Sequence, residues 1–389
     1  MNLFSHKPIF DKKNILYNTP DGIDCFAVFE ILQYYNKVLV ILRDDVRLER
    51  FLKSLKTLNK DLNIIEFPSW DCLPFDRNSP NQKIIGKRVR ALFKLINLRD
   101  EKTVVLTTVG SILQKIPNAE YITNSSLKIE VGKNFLQNDI ISFLESNGYF
   151  RTGSVREDSE YSIRGGIIDV FPPGEDNPVR IDFFGNDVDT IRYFDPINQL
   201  SIGNINHINF YPGSEINLND KSINIFRAKY RQTFDNRIYD NLLYQLVSDR
   251  KRVNGIEQYL SLFHEELTSI FSYLDDFLVI FDKDYNAVLE NKIEDINDFY
   301  NARKEDENLE GKKFNLLPIE NLYFSKDNLE EFLEEKCIIR LNSNQSEKED
   351  FNFSANIKPG INFSSLRIQG ENPIVELIDL LKIHKKIII

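Results

Sequence analysis

The one place where phosphate chemistry would be expected is the turn Thr19-Pro20-Asp21-Gly22-Ile23-Asp24-Cys25-Phe26, between the first short apolar run and the first amphipathic stretch. Backbone N–H groups and a helix N-terminus converge at such a turn in an α/β chain. A nucleoside triphosphatase places GxxxxGK[ST] there, with the lysine on the terminal phosphates and the hydroxyl on the metal. This turn has one glycine, no lysine and two carboxylates that repel phosphate. The residues therefore predict a helix N-terminus capped by Asp21 or Asp24, with no nucleotide pocket.

Other chemistry-bearing side chains are equally scattered. His6, His207, His264 and His384 have no HExxH or related spacing, and Cys25, Cys72 and Cys337 lie too far apart for a metal-ligand pattern or a disulfide framework. Ser154, Ser159 and Ser162 lack a GxSxG elbow or a partner base. Carboxylates are plentiful, but without a second signal they specify no hydrolytic site. Arg250, Lys251 and Arg252 form the densest basic cluster, which reads as a solvated helix face. No catalytic residue, cofactor or metal is expected in this chain.

Composition narrows the class further. The 389 residues are 42% hydrophobic and 28% charged, with 29 Phe and 16 Tyr, enough apolar surface for more than one core. The net charge of −10, from 59 acidic against 49 basic side chains, argues against a protein that coats nucleic acid. No stretch approaches the roughly 18 apolar residues of a membrane span, and the N-terminus has no apolar signal core. A cytoplasmic location with reduced thiols is the expectation.

The elements that must carry these residues follow from periodicity. Asn14–Asn18, Val38–Leu42, Ile64–Phe67 and Val104–Thr107 read as strands, and Phe26–Tyr35, Val46–Leu58 and Ile84–Leu98 as helices. In the last, Val89, Leu92, Phe93 and Ile96 form a buried stripe. This is the pattern of a doubly wound α/β unit over 1–120. From 121 to 212 the pattern turns β-rich, with one helix near Gln137–Asn147. Val179, Ile181 and Phe183 alternate with Arg180, Asp182 and Phe184, and Gly185-Asn186-Asp187 turns the chain into a returning strand, Val188–Phe194. Helix and strand alternation resumes over 213–341, through Asn241–Phe263, Phe277–Phe281, Tyr285–Asn301, Leu329–Glu335 and Cys337–Leu341. The β-rich segment thus reads as an insert between two pieces of one α/β unit. A polar linker is expected over 342–370. The start of a further α/β domain follows over 371–389, with a helix at Ile374–Leu381 and a strand at Lys385–Ile389, as if the chain were one piece of a longer polypeptide.

Two strings carry a family resemblance. FPSWDCLPFDRNSPNQKIIGKRVRALFKL, from Phe67 to Leu95, is similar to the pattern FPxWExLPYDxxSP of the bacterial transcription-repair coupling factor (Mfd) family. SEYSIRGGIIDVFPPGEDNPVRIDFFGNDVDTIRYFDPINQLS, from Ser159 to Ser201, resembles a block shared by that family and UvrB. The resemblance implies the family's N-terminal UvrB-like region: a degenerate helicase-like (RecA-like) domain in two pieces, interrupted by a β-rich insert that binds UvrA. UvrB would keep the phosphate-site lysine and insert a long DNA-gripping hairpin, for which Ser79-Pro80-Asn81-Gln82, running almost directly into the helix at Ile84, leaves no room.

The implied function is that of a non-catalytic adapter recruiting UvrA in transcription-coupled nucleotide excision repair. RNA polymerase, DNA, ATP and Mg would be engaged only by other parts of a full-length coupling factor. The alternative is a divergent UvrB-like or helicase-like ATPase acting on damaged DNA. Within the insert the resemblance places UvrA contacts at Arg164, Arg180 and Phe184. The strand alternation independently puts Arg180 and Phe184 on the face opposite the core, an exposed aromatic beside a planar cation able to grip a partner's carboxylate. Truncating Arg180 or Phe184 is expected to weaken UvrA binding with little change in stability.

Overall fold

The computed structural model describes residues 13–99, 101–234, 241–309, 315–344 and the isolated positions 372, 374, 375, 378 and 382. In chain order the first piece comprises β1 (Lys13–Leu16), α1 (Asp24–Ile31), β2 (Lys37–Leu42), α2 (Asp45–Leu58), β3 (Asn63–Phe67), α3 (Gln82–Ile96), β4 (Thr103–Thr108), α4 (Val109–Leu113), β5 (Ile116–Pro117) and α5 (Ala119–Asn124). The β-rich segment follows as β6 (Leu127–Glu130), α6 (Gln137–Ser146), β7 (Phe150–Arg151), β8 (Glu160–Arg164), β9 (Ile167–Val170), β10 (Val179–Phe184), β11 (Asp187–Phe194), β12 (Ser201–Ile205) and β13 (His207–Phe210). Then come α7 (Asp220–Phe234), α8 (Leu242–Ser248), β14 (Leu267–Thr268), β15 (Leu278–Phe281), α9 (Tyr285–Leu309), α10 (Lys326–Leu333) and β16 (Ile338–Leu341).

A six-stranded parallel sheet in the order β1-β16-β15-β2-β4-β3 draws strands from both sides of the β-rich segment. Its strands are apolar on both faces, as a sheet covered twice requires. Val38, Val40, Val104, Leu106, Leu278 and Ile280 pack with Val28 and Ile31 of α1 and Leu48, Phe51 and Leu55 of α2. The alternate residues Leu39, Ile41, Val105, Val279 and Phe281 meet Val89 and Leu92 of α3, Leu289 of α9 and Leu329 of α10. The architecture is α/β, with helices on both faces of one parallel sheet.

The second sheet, β12-β11-β10-β9-β8-β7, is antiparallel except for the β7–β8 pair. One face, carrying Tyr161, Ile168, Val179, Ile181, Val188 and Ile191, buries itself on Ile140 and Leu144 of α6 and on Ile129, Ile208 and Phe210 of the two-stranded β13-β6 sheet. Of the residues that alternate with these, Ser162, Asp169 and Phe194 are buried as well, Phe194 in a small cluster with Val155 and Phe171.

Helix α3 joins the two units. A Cβ at Gly86 would lie 2.6 Å from Pro173 Cβ and 2.8 Å from Gly174 N, so glycine is needed for the close approach of the Pro173-Gly174 loop. Arg90 then donates to Gly174 O (2.6 Å) and to Glu175 (2.7 Å). Deeper in, Arg88 and Glu215, both fully buried, pair at 3.0 Å. Arg88 also donates to Pro68 O (2.8 Å) and lies 4.3 Å from the Phe67 ring centre, while Trp70 Nε1 donates to Glu215 (2.8 Å). The FPSW string is thus locked around the residue that leads out of the β-rich segment.

Three sequence expectations are corrected. The first helix ends at Ile31 and not at Tyr35, because β2 must start at Lys37 to place Val38 opposite Leu278 and Val104, and the chain reverses in between. Asn241–Phe263 is not one helix: α8 stops at Ser248, and 3-10 turns span Ile256–Leu262. Arg250 and Gly255 have positive φ (59° and 75°), and a Cβ at Gly255 would come 2.7 Å from Arg77 O. The Arg250–Arg252 cluster therefore lies in a loop, where Arg250 pairs with Asp220 and Arg252 turns inward to Glu257 at 2.9 Å. Most of the linker over 342–370, the further domain over 371–389 and the strand at Lys385–Ile389 fall outside the described residues.

Candidate partner-binding surface

The outer face of the six-stranded antiparallel sheet is built by strand alternation. With Val179 and Ile181 turned to the core, Arg180 and Asp182 must project the other way. A bulge between Asp182 and Phe183 shifts the register, leaving Phe183 half-buried against the core and Phe184 at the tip of the β10–β11 turn. Gly185 follows with φ 64°, the left-handed conformation that a two-residue hairpin needs. Phe184 is 82% exposed, among the largest apolar exposures of the described residues.

Arg164 ends β8, just before the Gly165-Gly166 turn, where Gly165 has φ 61°. It is exposed, and its Nη2 donates to Gly153 O at 2.9 Å. Its ladder partner is Ile167, which is in turn opposite Asp182, so Arg164 shares the outer face with Asp182 two strands away. The sheet register thus sets Arg164, Arg180 and Phe184 on one side of the insert.

Arg180 departs from expectation in one respect. Its fork is already engaged: Nε donates to Asp169 Oδ1 at 2.7 Å and Nη2 to Asp169 Oδ2 at 2.9 Å, and the guanidinium lies 4.7 Å from the Phe194 ring centre. The side chain is only 17% exposed and Asp169 only 1%. The hydrogen bonds that Arg180 donates to the Asp169 carboxylate hold its guanidinium in the charged form, above the usual arginine range. The expectation that truncating Arg180 leaves stability unchanged is therefore corrected, because the change strands a buried carboxylate.

Arg192 on β11 stands directly opposite Arg180 and pairs with Asp182 at 2.9 Å, while Thr190 donates to the same carboxylate at 2.8 Å. Sequence reasoning passed over Arg192, although the alternation of Asp187–Phe194 would have put it on this face. The outer face is therefore a ladder of two arginines, each backed by an aspartate.

The β1–α1 turn is filled by ion pairs. Asp21 meets Arg43 (3.3 Å), Arg47 (3.7 Å) and Lys283; Asp24 meets Arg47, which also reaches Asp282 (3.5 Å). Burial pushes the Asp21 carboxyl up, but the Lys283 hydrogen bond and the charges of Arg47 and Lys283 outweigh it and hold the group at about 2. Burial dominates at Asp24 and raises its carboxyl despite Arg47. The capping expectation is corrected in detail: Ile23 is the cap residue, with no side-chain cap, while Asp24 accepts from the N–H groups of Gly22 (3.0 Å) and Cys25 (2.9 Å). The cations at this turn are spent on the chain's own carboxylates. Among the described residues no group of three His, Cys, Asp or Glu is placed to hold a metal, and no helix is long and apolar enough to cross a membrane.

A family model described as the UvrB interaction domain matches residues 127–216, from β6 to just past β13. The chain is similar to the transcription-repair-coupling factor of Haemophilus influenzae, 34% identical over 298 residues, which are 75% of this chain and 26% of that protein. The transcription-repair-coupling factor of Rickettsia conorii is 32% identical over 333 residues, 84% of this chain and 29% of that protein. That of Escherichia coli is 29% identical over 247 residues, 63% and 21% respectively. The chain spans about a quarter of the length of these relatives.

Proposed function

The chain belongs to the transcription-repair-coupling factor family, and on that premise we propose that it is an N-terminal, UvrB-like, non-catalytic adapter in transcription-coupled repair whose β-rich insert docks UvrA. The observation that carries the reading is the outer face of the insert sheet, where Phe184 stands exposed at a hairpin tip beside an ordered row of arginines. A large apolar anchor next to planar multi-donor cations is the composition of a binding hot spot. Within this proposal Arg164, Arg180 and Phe184 contact UvrA, Arg180 through the edge of its guanidinium that Asp169 leaves free.

The parallel sheet is, in the same reading, a doubly wound helicase-like domain that has lost its nucleotide. The ion pairs at the β1–α1 turn support this, because Arg43, Arg47 and Lys283 neutralise Asp21, Asp24 and Asp282 with nothing left over for a triphosphate. Engagement of RNA polymerase, DNA, ATP and Mg would then belong to other parts of a full-length factor. The same ion pairs weigh against a divergent ATPase. Purified chain and UvrA mixed at micromolar concentration should co-elute in size-exclusion chromatography and give saturable calorimetric binding. Separate elution with no heat of binding would overturn the adapter reading.

A further inference from the structure

Helix α3 has no acidic residue in its sequence, QKIIGKRVRALFKLI, and carries the cations Lys83, Lys87, Arg88, Arg90 and Lys94. Arg88 is sealed in the core with Glu215. The other four follow at spacings of four, three and four residues, which puts them on one face of the helix. That face lines a groove of about 430 Å³, bounded also by Lys56 of α2, by Ile64, Ile65 and Glu66 of β3, and by the loop over 171–176. β3 ends the parallel sheet, and among the described residues no strand pairs with its outer edge. Charge in the groove is only partly matched. Lys87 pairs with Glu66 at 3.2 Å and Arg90 with Glu175 at 2.7 Å, while the Asp158 carboxylate accepts from the Gly174 N–H at 2.9 Å. That leaves Asp176 with Lys56, Lys83 and Lys94, and among the described residues the side chain of none of these three lysines makes a hydrogen bond or ion pair. Arg90 Nε is buried with no hydrogen-bond partner. Burial, and then the charge of Arg90, hold the Lys94 amine below the usual lysine range despite Glu175, Glu66 and Asp176. A cation in the first turn, as Lys83 is, opposes the helix dipole, so the stability of α3 does not call for this stripe.

We propose that this groove takes an acidic, extended segment of a partner protein, its backbone paired with the outer edge of β3 and its carboxylates on Lys56, Lys83 and Lys94. An edge strand offers unpaired N–H and C=O groups to an incoming strand. Side chains on one face of the added strand recur about every 7 Å, and the cations of α3 succeed one another about every 5 to 6 Å along the helix axis. Acidic residues at alternate positions can therefore each meet a cation. A nucleic-acid backbone fits less well, because Glu66, Asp158, Glu175 and Asp176 line the same groove and repel a continuous run of phosphates. An alternating strand carries its charges only at every second residue. None of Arg164, Arg180 and Phe184 lines the groove, and the proposal does not rest on the docking of UvrA.

The probe is a short peptide of alternating glutamate and threonine, titrated into the full chain by calorimetry. A peptide of alternating lysine and threonine, inorganic phosphate and duplex DNA serve as comparisons, and hydrogen exchange of the β3 amides is followed with and without the acidic peptide. Saturable binding that weakens with added salt is expected, together with slower exchange at Asn63–Phe67. Combining Lys83→Gln with Lys94→Gln should weaken binding about tenfold or more. The melting temperature should stay unchanged, because neither side chain makes an internal hydrogen bond or ion pair among the described residues. Lys56→Gln, at an exposed position of α2, should weaken binding as well and repeats the test if the double variant melts early. No saturable binding, equal binding of the basic peptide, tighter binding of phosphate or DNA, or wild-type affinity in the folded variants would overturn the proposal. Binding without slower exchange at β3 would overturn it too, since the segment would then not be paired to the edge.

Discussion

Phe184 and Arg180 lie on one strand, four residues apart, yet truncation should affect them differently. Phe184 is 82% exposed and buries almost nothing in the isolated chain, so Phe184→Ala should leave the urea midpoint unchanged. In calorimetry it should cost about 2 kcal/mol of UvrA binding, the threshold of a hot spot. Unchanged affinity in the folded variant would remove Phe184 from the interface. Arg180→Ala removes the partner of Asp169, whose carboxylate is 1% exposed, and breaking a buried pair from one side costs on the order of 3 kcal/mol. Urea unfolding of Arg180→Ala should show that loss, and adding Asp169→Asn should restore part of it. A weakened complex in the single variant therefore does not by itself assign a contact, whereas Phe184 gives a clean test.

Two elements make predictions of their own. The loop that follows the 3-10 turns at Ile256–Leu262 carries His264, whose Nε2 lies 2.8 Å from Glu215 O. Burial lowers its pKa from 6.5 to about 4. Between those values the unfolded chain takes up a proton that the folded chain refuses, so stability falls as pH drops from 6.5 toward 4. Asp21, held at about 2, acts only in a lower window. His264→Gln should flatten the thermal-stability profile between pH 6.5 and 4, and an identical slope in the variant would show that His264 is not the titrating group. The β1–α1 turn supplies the other prediction. With Asp21 bound to Arg43, Arg47 and Lys283 and Asp24 to Arg47, ATP must break internal pairs and meet two carboxylates. Calorimetry at sub-millimolar ATP should show no saturable binding, and a measurable isotherm would revive the ATPase alternative.

The two units pack against each other through α3. Its apolar stripe closes the parallel sheet, its Gly86 admits the Pro173-Gly174 loop, and its Arg88 is sealed against Glu215. At this scale residues 68–81 pass from β3 to α3 without a strand, and the net charge is −10, both of which weigh against a grip on DNA. Fluorescence anisotropy at physiological salt should show no preference for damaged over intact duplex. A clear preference would point to a gripping surface elsewhere. Much of this was legible in the sequence. Strand and helix periods, the turn glycines and the switch to β alternation near 121 are local, because side-chain direction follows backbone geometry within a few residues. That locality also placed Phe184 at a hairpin tip. Which strands pair, and which charge meets which, depends on residues far apart in the chain. Alternation could turn Arg180 outward but could not show that Asp169, on the neighbouring strand, would take its fork. Nor could it show that Arg192 would face it, that Asp21 would find Lys283, or that Glu215 would seal Arg88. A charge has no periodicity to reveal its partner, and only the folded sheets bring the partners within hydrogen-bond distance.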